Sequence, residues 1–284
     1  HFQNEKGLEA QLGVKGLYFD NQAGQIDEPG ENPTELYKVN MITQRAEVWG
    51  KTGYMFPGKP YQSFGWQWSG TWQHQDFDFG NRVYTGKEKA FYSNLIFQSI
   101  LGNTNHVYKL GFSYLYDQYD ESLDEQNYAR TESVPGVFAE YTFNASENFN
   151  MVAGIRTDFH NLIGTQVNPR LHARYAISEN TTLRASIGRG MRIANLFSEN
   201  FGMLISSREL EIRTNADGVA YGLAPEIAWN TGLNLTHEFK LNYRDGAISF
   251  DYYHTNFQNQ VVVDRDHDLD KIIIYNLQGK SFSN

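Results

Sequence analysis

The sequence predicts an all-β protein, an antiparallel up-and-down β-barrel that crosses a membrane with its strands. Two observations support this fold class. Twelve stretches of about 10–15 residues alternate between apolar and polar side chains, as strands with one apolar face do. The links between these stretches alternate between short and long, which is typical of outer-membrane barrels with short periplasmic turns and long outer loops.

The composition is compatible with such a barrel. The chain has 284 residues, is 40% hydrophobic and has a mean hydropathy of −0.56. It contains no run of about 18 apolar residues, so the sequence predicts no transmembrane helix. A barrel strand needs an apolar residue only at every second position, so its mean hydropathy can look soluble. The aromatic content of 15% would supply the interfacial girdles of a barrel.

Charge and cysteine content exclude several other classes. The net charge of −9 argues against binding nucleic acid, because a phosphate backbone needs a basic surface. The chain has no cysteine, which excludes disulfides, thiolate metal sites and cysteine nucleophiles. It begins at His1 rather than at a methionine, as expected of a mature or excised piece.

The predicted strands follow the alternation along the chain. Segment 61–75 shows it best, because Phe64, Trp66, Trp68 and Trp72 share one face and polar residues occupy the other. Segment 88–101 alternates poorly. The twelve predicted strands are 8–19, 37–55, 61–75, 88–101, 105–117, 133–144, 149–159, 168–178, 180–191, 225–239, 246–258 and 271–284.

The length of these segments favours a membrane barrel over a soluble sheet. A band about 25 Å tall that is crossed at about 45° needs about 11 residues of strand. Strands of soluble proteins usually have about five or six residues. About two thirds of the predicted segments reach the membrane value.

The links also fit this architecture. The predicted short turns lie at 57–60, 102–104, 145–148, 178–179 and 240–245, and the long links at 20–36, 76–87, 118–132, 160–167, 192–224 and 259–270. All long links would then lie at one end of the barrel. The longest, 192–224, exceeds what a compact domain tolerates without function.

Several motifs in the second half resemble the barrel of TonB-dependent outer-membrane receptors. The residues from Gly188 to Glu199 read G-R-G-M-R-I-A-N-L-F-S-E, which is similar to the arginine-rich turn of that family. Upstream, Asn168 to Leu171 read N-P-R-L. Downstream, Leu223 to Gly232 resemble the next strand of the family, and Ile248 to Phe257 and Tyr275 to Gly279 resemble the two strands that follow.

This resemblance implies a receptor that captures a scarce nutrient at the surface of a Gram-negative cell. Members carry an N-terminal plug inside a barrel of about 22 strands and take energy from an inner-membrane partner through TonB. The implied partners are the TonB complex through a plug, a small nutrient ligand and outer-membrane lipid. With about 12 strands, residues 1–284 are expected to be one barrel segment, without the plug and the remaining strands.

Four residues on or beside the longest link are the candidate ligand-binding site. Arg189, Arg192 and Arg208 would form a cationic patch for an anionic ligand such as an iron chelate, with Asn195 in the same motif. The alternative is that these arginines pair with Asp and Glu or with a plug.

Alternating carboxylates in the 259–270 link suggest a possible structural Ca²⁺ loop. Asp264, Asp266 and Asp268 offer oxygen ligands at regular spacing, but the glycine and the closing glutamate of an EF-hand loop are missing. The alternative is a solvated acidic loop.

Charges and tryptophans on the strands indicate the two environments. Charged residues keep to the polar faces and would mark the lumen, since a charge facing lipid costs about 2–4 kcal/mol. The tryptophans would anchor the barrel at the membrane interfaces. The charged residues are Glu140, Arg156, Asp158, Arg170, Arg174, Arg184 and Asp251, and the tryptophans are Trp49, Trp66, Trp68, Trp72 and Trp229.

The predicted function is binding and gated transport of an iron chelate, cobalamin or an oligosaccharide, with no catalysis. The sequence has no G-x-S-x-G or H-E-x-x-H motif. Two alternatives stay open. A plugless porin would have a loop that narrows the lumen and would lack the motifs at 188–199 and 223–232. A soluble all-β carbohydrate-binding protein would share its apolar faces between two sheets.

Overall fold

One sheet of twelve antiparallel strands dominates the computed structural model, which describes residues 2–3, 7–26, 36–215 and 219–277. The strands lie in the sheet in chain order, each beside the next. They are β1 (Phe2–Gln3), β2 (Leu8–Gly24), β3 (Lys38–Met55), β4 (Ser63–Asp78), β5 (Val83–Leu101), β6 (Asn103–Leu123), β7 (Gln126–Asn144), β8 (Phe149–His160), β9 (Gly164–Ser178), β10 (Thr181–Arg192), β12 (Glu226–Leu241) and β13 (Arg244–Gln258).

A smaller group of elements comes from the long links. The connection from β10 to β12 holds helices α1 (Leu196–Glu199) and α2 (Phe201–Leu204), strand β11 (Glu209–Ile212) and a 3-10 turn at Ala220–Gly222. Strands β14 (Gln260–Asp264) and β15 (Lys271–Leu277) follow β13 and form a second sheet with β11. In the described ranges no strand joins β1 and β2 to β13, so the large sheet is an open segment of a barrel.

The alternating pattern gives the large sheet two different faces. We call the face that carries Trp66, Trp68 and Trp72 the outer face, and the opposite one the inner face. Phe64 and Trp66 stay 40% and 39% exposed on the outer face, although both are large apolar side chains. This exposed apolar surface matches the prediction for a wall that contacts lipid. Within the described residues no helix is long and apolar enough to cross a bilayer.

The prediction for one tryptophan is wrong. Trp49 lies opposite Gly13 and Ser69, on the inner face, whereas Trp68 lies opposite Gly50 on the outer face. Glycine at position 13 leaves room for the Trp49 indole, because a Cβ there would come within 2.3 Å of the ring. Grouping tryptophans by residue type ignored the register, which decides the face.

Three predicted long links are short turns in the structure. The chain reverses at residues 79–82, 124–125 and 161–163, because the flanking strands continue well past their predicted ends. Beyond the apolar band the alternation reverses: Phe77 faces inward while His74 and Asp76 face outward. The pattern of apolar residues on the outer face therefore ends at this point, although the strands continue. We call this end of the sheet the rim.

The main hydrophobic core lies on the inner face at the rim, where the long links fold back onto the strands. The ring of Phe201 packs 4.7 Å from Phe77 and 5.5 Å from Tyr84, and Phe197 packs 5.9 Å from Tyr84. Edge-to-face pairs of this kind each contribute about 0.5–1.5 kcal/mol beyond area burial. The buried members of this rim cluster are Val39, Phe77, Phe79, Tyr84, Leu123, Leu196, Phe197, Met203, Leu204, Ala220, Tyr221, Leu223, Ile272 and Ile274.

The last predicted barrel strand belongs to the smaller sheet. β15 lies between β11 and β14 and runs parallel to β11. Its residues Ile272, Ile273 and Ile274 are all buried, as in a strand that is covered on both faces. An uninterrupted apolar run therefore indicates a strand that is buried on both faces rather than a strand of a lipid-facing barrel wall. Residues 278–284 of the predicted strand lie outside the described residues.

Candidate functional site

A ladder of ion pairs runs across the inner face below the rim. Glu140 on β7 accepts a hydrogen bond from Lys109 on β6 at 2.9 Å and also pairs with Arg170 on β9. Arg156 on β8 pairs with Asp158 at 2.7 Å and donates to the Ser113 hydroxyl at 2.7 Å. These charges lie on one face because the same groups would be costly against lipid. The predicted position of the charged residues on the inner face is therefore observed.

A cavity of about 450 Å³ opens on this ladder. Four cationic side chains line it, those of Lys109, Arg156, Arg170 and Arg189, and Glu140 is the only carboxylate among its lining residues. Counting Asp158, which pairs with Arg156, the neighbourhood keeps an excess of two positive charges. Charge of one sign on low-dielectric walls concentrates ligands of the opposite sign. This wall therefore suits an anion.

The rim holds a second, almost fully buried polar cluster, centred on Arg130 of β7. The guanidinium donates to Glu132 Oε1 at 2.8 Å and to Tyr221 Oη at 3.1 Å, and it lies 3.7 Å above the ring of Tyr119. It also pairs with Glu121 at 3.3 Å and donates to the Asn195 side chain. Arg130 thus ties the described residues of the inward-folded link 193–225 to the barrel wall.

Tyr221 is positioned for this contact by an unusual backbone. Its φ of 57° lies in the left-handed region, and its hydroxyl donates to Glu121, which also accepts from Tyr84 at 2.8 Å. Burial, together with the Glu121 carboxylate, raises the pKa of the Tyr221 phenol, so it remains a proton donor at neutral pH. The sequence prediction misses this cluster because it assigns 118–132 to a long link. Tyr128, Arg130 and Glu132 recur at every second position, as residues on one face of a strand do, and this was the available signal.

The predicted ligand-binding residues are not brought together in one patch. Arg192 Nε donates to Glu226 at 2.6 Å and Nη1 to Glu199 at 2.9 Å. The Asn195 backbone N–H donates to the same Glu199 oxygen at 3.3 Å, so these two residues share a carboxylate. Arg192 and Asn195 both help to attach helix α1 to the barrel wall. For this pair the geometry matches the alternative in which the polar groups serve contacts within the protein.

The two other predicted arginines lie elsewhere. Arg189 donates to the Val167 carbonyl at 2.8 Å and to the Asn168 side chain at 3.1 Å, and it lines the 450 Å³ cavity. Arg208 donates to the Arg265 carbonyl at 2.7 Å, at the base of the smaller sheet. Of the four residues, Arg189 alone faces the cationic cavity. Ligand binding by any of them stays a prediction.

The carboxylates of the predicted calcium loop are engaged with their own backbone. Asp264 Oδ1 accepts from the N–H groups of Asp266 and His267, both at 3.0 Å, and Asp268 Oδ1 accepts from Asp270 at 2.8 Å. These hydrogen bonds lower the pKa of Asp264. Across the described ranges, no three His, Cys, Asp or Glu side chains converge as metal ligands. A calcium ion would compete with these backbone N–H groups for the carboxylate oxygens. The calcium site stays a prediction.

Comparison with known proteins identifies the fold. The family model for the β-barrel of TonB-dependent receptors matches residues 3–283. The ferric enterobactin receptor of Pseudomonas aeruginosa is 24% identical over 168 residues, which cover 50% of this chain and 21% of the relative. The ferrienterobactin receptor of Escherichia coli K12 is 22% identical over 143 residues, which cover 49% of this chain and 19% of the relative. The matched segment therefore covers about a fifth of the length of each of these curated relatives.

Two solved structures share the architecture at low identity. The alcaligin outer membrane receptor FauA from Bordetella pertussis superposes with a TM-score of 0.58 at 13% identity, over 94% of this chain and 45% of its own. The copper transporter OprC superposes with a TM-score of 0.60 at 12% identity, over 93% of this chain and 48% of its own. The family match and the antiparallel sheet with its apolar outer face agree: this chain belongs to the β-barrel family of TonB-dependent receptors.

Proposed function

We propose that this chain is the barrel part of an outer-membrane receptor that takes up an anionic iron chelate. The cationic cavity on the inner wall carries the proposal, because Lys109, Arg156, Arg170 and Arg189 line it against a single lining carboxylate. Such a wall attracts a negatively charged ferric chelate and disfavours a bare metal cation. Both curated relatives have names that refer to ferric enterobactin, which supports an iron cargo over cobalamin or an oligosaccharide.

In this proposal the outer face contacts outer-membrane lipid and the inner face lines the transport path. Trp66 and Trp72 would meet the acyl chains and the interface, where their exposure on the outer face carries no hydration cost. The TonB complex would supply energy, as the family name suggests, and a plug segment, which the family resemblance implies, would supply closure. The receptor binds and moves its ligand without making or breaking a covalent bond.

The inward-folded link 193–225 bears on the porin alternative. It narrows the space on the inner face at the rim, as the constriction loop of a porin would. The family match over residues 3–283 nevertheless favours the receptor over a plugless channel. The soluble alternative is disfavoured because the apolar outer face has no second sheet packed against it within the described residues.

Ligand binding by charge variants of the complete receptor tests the proposal. Quenching of tryptophan fluorescence would measure the affinity for ferric enterobactin, which is anionic, and for a neutral ferric hydroxamate chelate. Replacing Lys109 and Arg189 by Gln is expected to weaken binding of the anionic chelate at least about tenfold, or about 1.4 kcal/mol. The neutral chelate should be affected little. Equal affinity of wild type and variant for the anionic chelate would contradict the proposal.

Replacement of both Lys15 and Lys51 by Gln is the matched control, because they lie on the inner face of β2 and β3 near the far edge of the sheet, outside this cavity. This variant also removes two positive charges but should leave the affinity unchanged. A similar loss in this control would mean that net charge, rather than the cavity, determines binding. Growth of an iron-starved deletion strain that carries each variant would connect binding to uptake.

A further inference from the structure

A row of polar side chains crosses the inner face near the short-turn end of the sheet. Arg174 of β9 lies directly opposite Arg184 of β10. Asn150 of β8 lies opposite Arg174 on the other side, and Asn234 of β12 lies opposite Arg184. Asp251 of β13 completes the row opposite Asn234. Arg184 is three residues from the start of β10, about 10 Å from the turn.

The two arginines face each other without the partners that other inner arginines have. Arg156 pairs with Asp158, and Arg192 pairs with Glu226. In the part of the chain that the structure describes, no carboxylate oxygen lies within 4.0 Å of a guanidinium nitrogen of Arg174 or Arg184. Like charges directly across a strand pair are destabilising. This arrangement therefore costs stability unless an anion lies between them.

The nearest carboxylate in the row is engaged elsewhere. Asp251 Oδ1 accepts from Asn234 Nδ2 at 2.7 Å, and Oδ2 accepts from Ser249 at 3.4 Å. Asn234 Oδ1 in turn accepts from Arg184 Nη1 at 3.0 Å. The amide thus orients the Arg184 guanidinium and separates it from the carboxylate, which leaves its other N–H groups free to bind a ligand.

A cavity of about 370 Å³ lies over this pair. Its walls include His172 and Ser186, which add hydrogen-bonding groups beside the two guanidinium groups, and Asp251, whose oxygens are engaged by Asn234 and Ser249. The volume is ample for a phosphate or carboxylate group. Two guanidinium groups that line one cavity can offer paired N–H donors to the planar or tetrahedral oxygens of such groups.

We propose that Arg174 and Arg184 form an oxyanion-binding site on the inner wall, close to the short-turn end of the barrel. It takes a phosphate or carboxylate group between the two guanidinium groups, with His172 and Ser186 at its side. The site is separate from the 450 Å³ cavity and lies further from the rim. It depends on the proposed function only in that the inner face is a lumen wall, and its test requires no iron chelate.

The oxyanion has two possible sources, a free anion in the lumen or a carboxylate from another part of the same protein. A double-mutant cycle distinguishes them. The complete receptor in detergent is compared with its R174Q, R184Q and double variants, by thermal unfolding in sodium chloride and in inorganic phosphate of equal ionic strength. The cycle measures the coupling free energy between the two arginines in each buffer.

Two results support the site. If the protein supplies the anion, the coupling is attractive in chloride, and phosphate does not change it. If the anion is free, the coupling is repulsive in chloride, phosphate raises the unfolding temperature of the wild type, and this rise is lost in both single variants. Repulsive coupling in both buffers, with the same phosphate response in all four proteins, would overturn the proposal.

R45Q is the control variant, because the Arg45 guanidinium already pairs with Glu47 and lines neither of the two cavities. It should lower the unfolding temperature without changing the response to phosphate. Titration of the wild type with inorganic phosphate by calorimetry gives a readout that does not depend on how any variant folds. A free-anion site requires saturable heat in that titration, and this heat must be lost in R184Q.

Discussion

Replacement of Arg130 by methionine tests the idea that this side chain fastens the long 193–225 link to the barrel wall. The arginine side chain is only 7% exposed, and its partners Glu121 and Glu132 have side chains that are 5% and 12% exposed. Methionine has a similar length but no charge and no donor. The variant therefore leaves two nearly buried carboxylates without their cation and breaks the contacts to Tyr221 and Asn195.

The expected cost is large, because removing one partner of a buried ion pair typically costs about 3–5 kcal/mol. Part of this cost should be local. The link held by Arg130 should detach before the strands unfold, since their ladder hydrogen bonds do not involve the side chain. Equilibrium unfolding in detergent measures the total, and limited proteolysis followed by mass spectrometry locates the first cleavage.

Arg213→Met is the matched control. Arg213 also pairs with a glutamate, Glu211 at 2.9 Å, but its side chain is 52% exposed. Exposed pairs contribute about 0–1 kcal/mol, so this variant should change little. If R130M were no less stable than R213M, or if its first cleavage fell outside residues 193–225, the role assigned to Arg130 would be wrong.

Three further predictions concern the membrane face, the packing and the acidic loop. Phe91→Arg on the outer face should lower the free energy of unfolding in lipid vesicles by about 2–4 kcal/mol. Thr71→Arg on the inner face, opposite Glu47, should lower it by about 1 kcal/mol or less. Equal losses would contradict the assignment of faces. Gly111→Ala should destabilise by about 1–3 kcal/mol, because its Cβ would meet the Phe138 ring at 2.0 Å, whereas Gly65→Ala meets nothing within 4 Å; similar unfolding midpoints would refute the packing argument. The Asp264 carboxyl should titrate below its ordinary pKa of 3.8 in NMR, so the turn gains stability above that pH and loses it as the pH falls through the lowered value; a midpoint at or above 3.8 would contradict this.

The sequence predicted the strands and their faces wherever one face met an apolar environment. Along β4 the alternation of Trp66, Gln67 and Trp68 indicates which side chains face outward. The alternation no longer indicates the faces at the rim, beyond the apolar band, where Phe77 faces inward and His74 faces outward. The strands therefore ran through residues that had been predicted as loops, since backbone pairing continues without any apolar side to mark it.

The candidate sites divide in the same way. Arg174 and Arg184 could be placed on the inner face from the sequence, but only the register of β9 and β10 sets them opposite each other. Arg192 and Asn195 could be recognised as parts of a motif, but not as groups that share Glu199 within the fold.

Local periodicity thus determined the fold class, the membrane-facing side and the inner position of the charges, because these depend on each strand alone. The tertiary structure decided what each charge does. It placed Arg130 of β7 against Tyr221, which is 91 residues away in the chain, and made β15 part of a buried sheet. Contacts between distant segments depend on strand register and on the path of the long links, and neither leaves a periodic signal in the sequence.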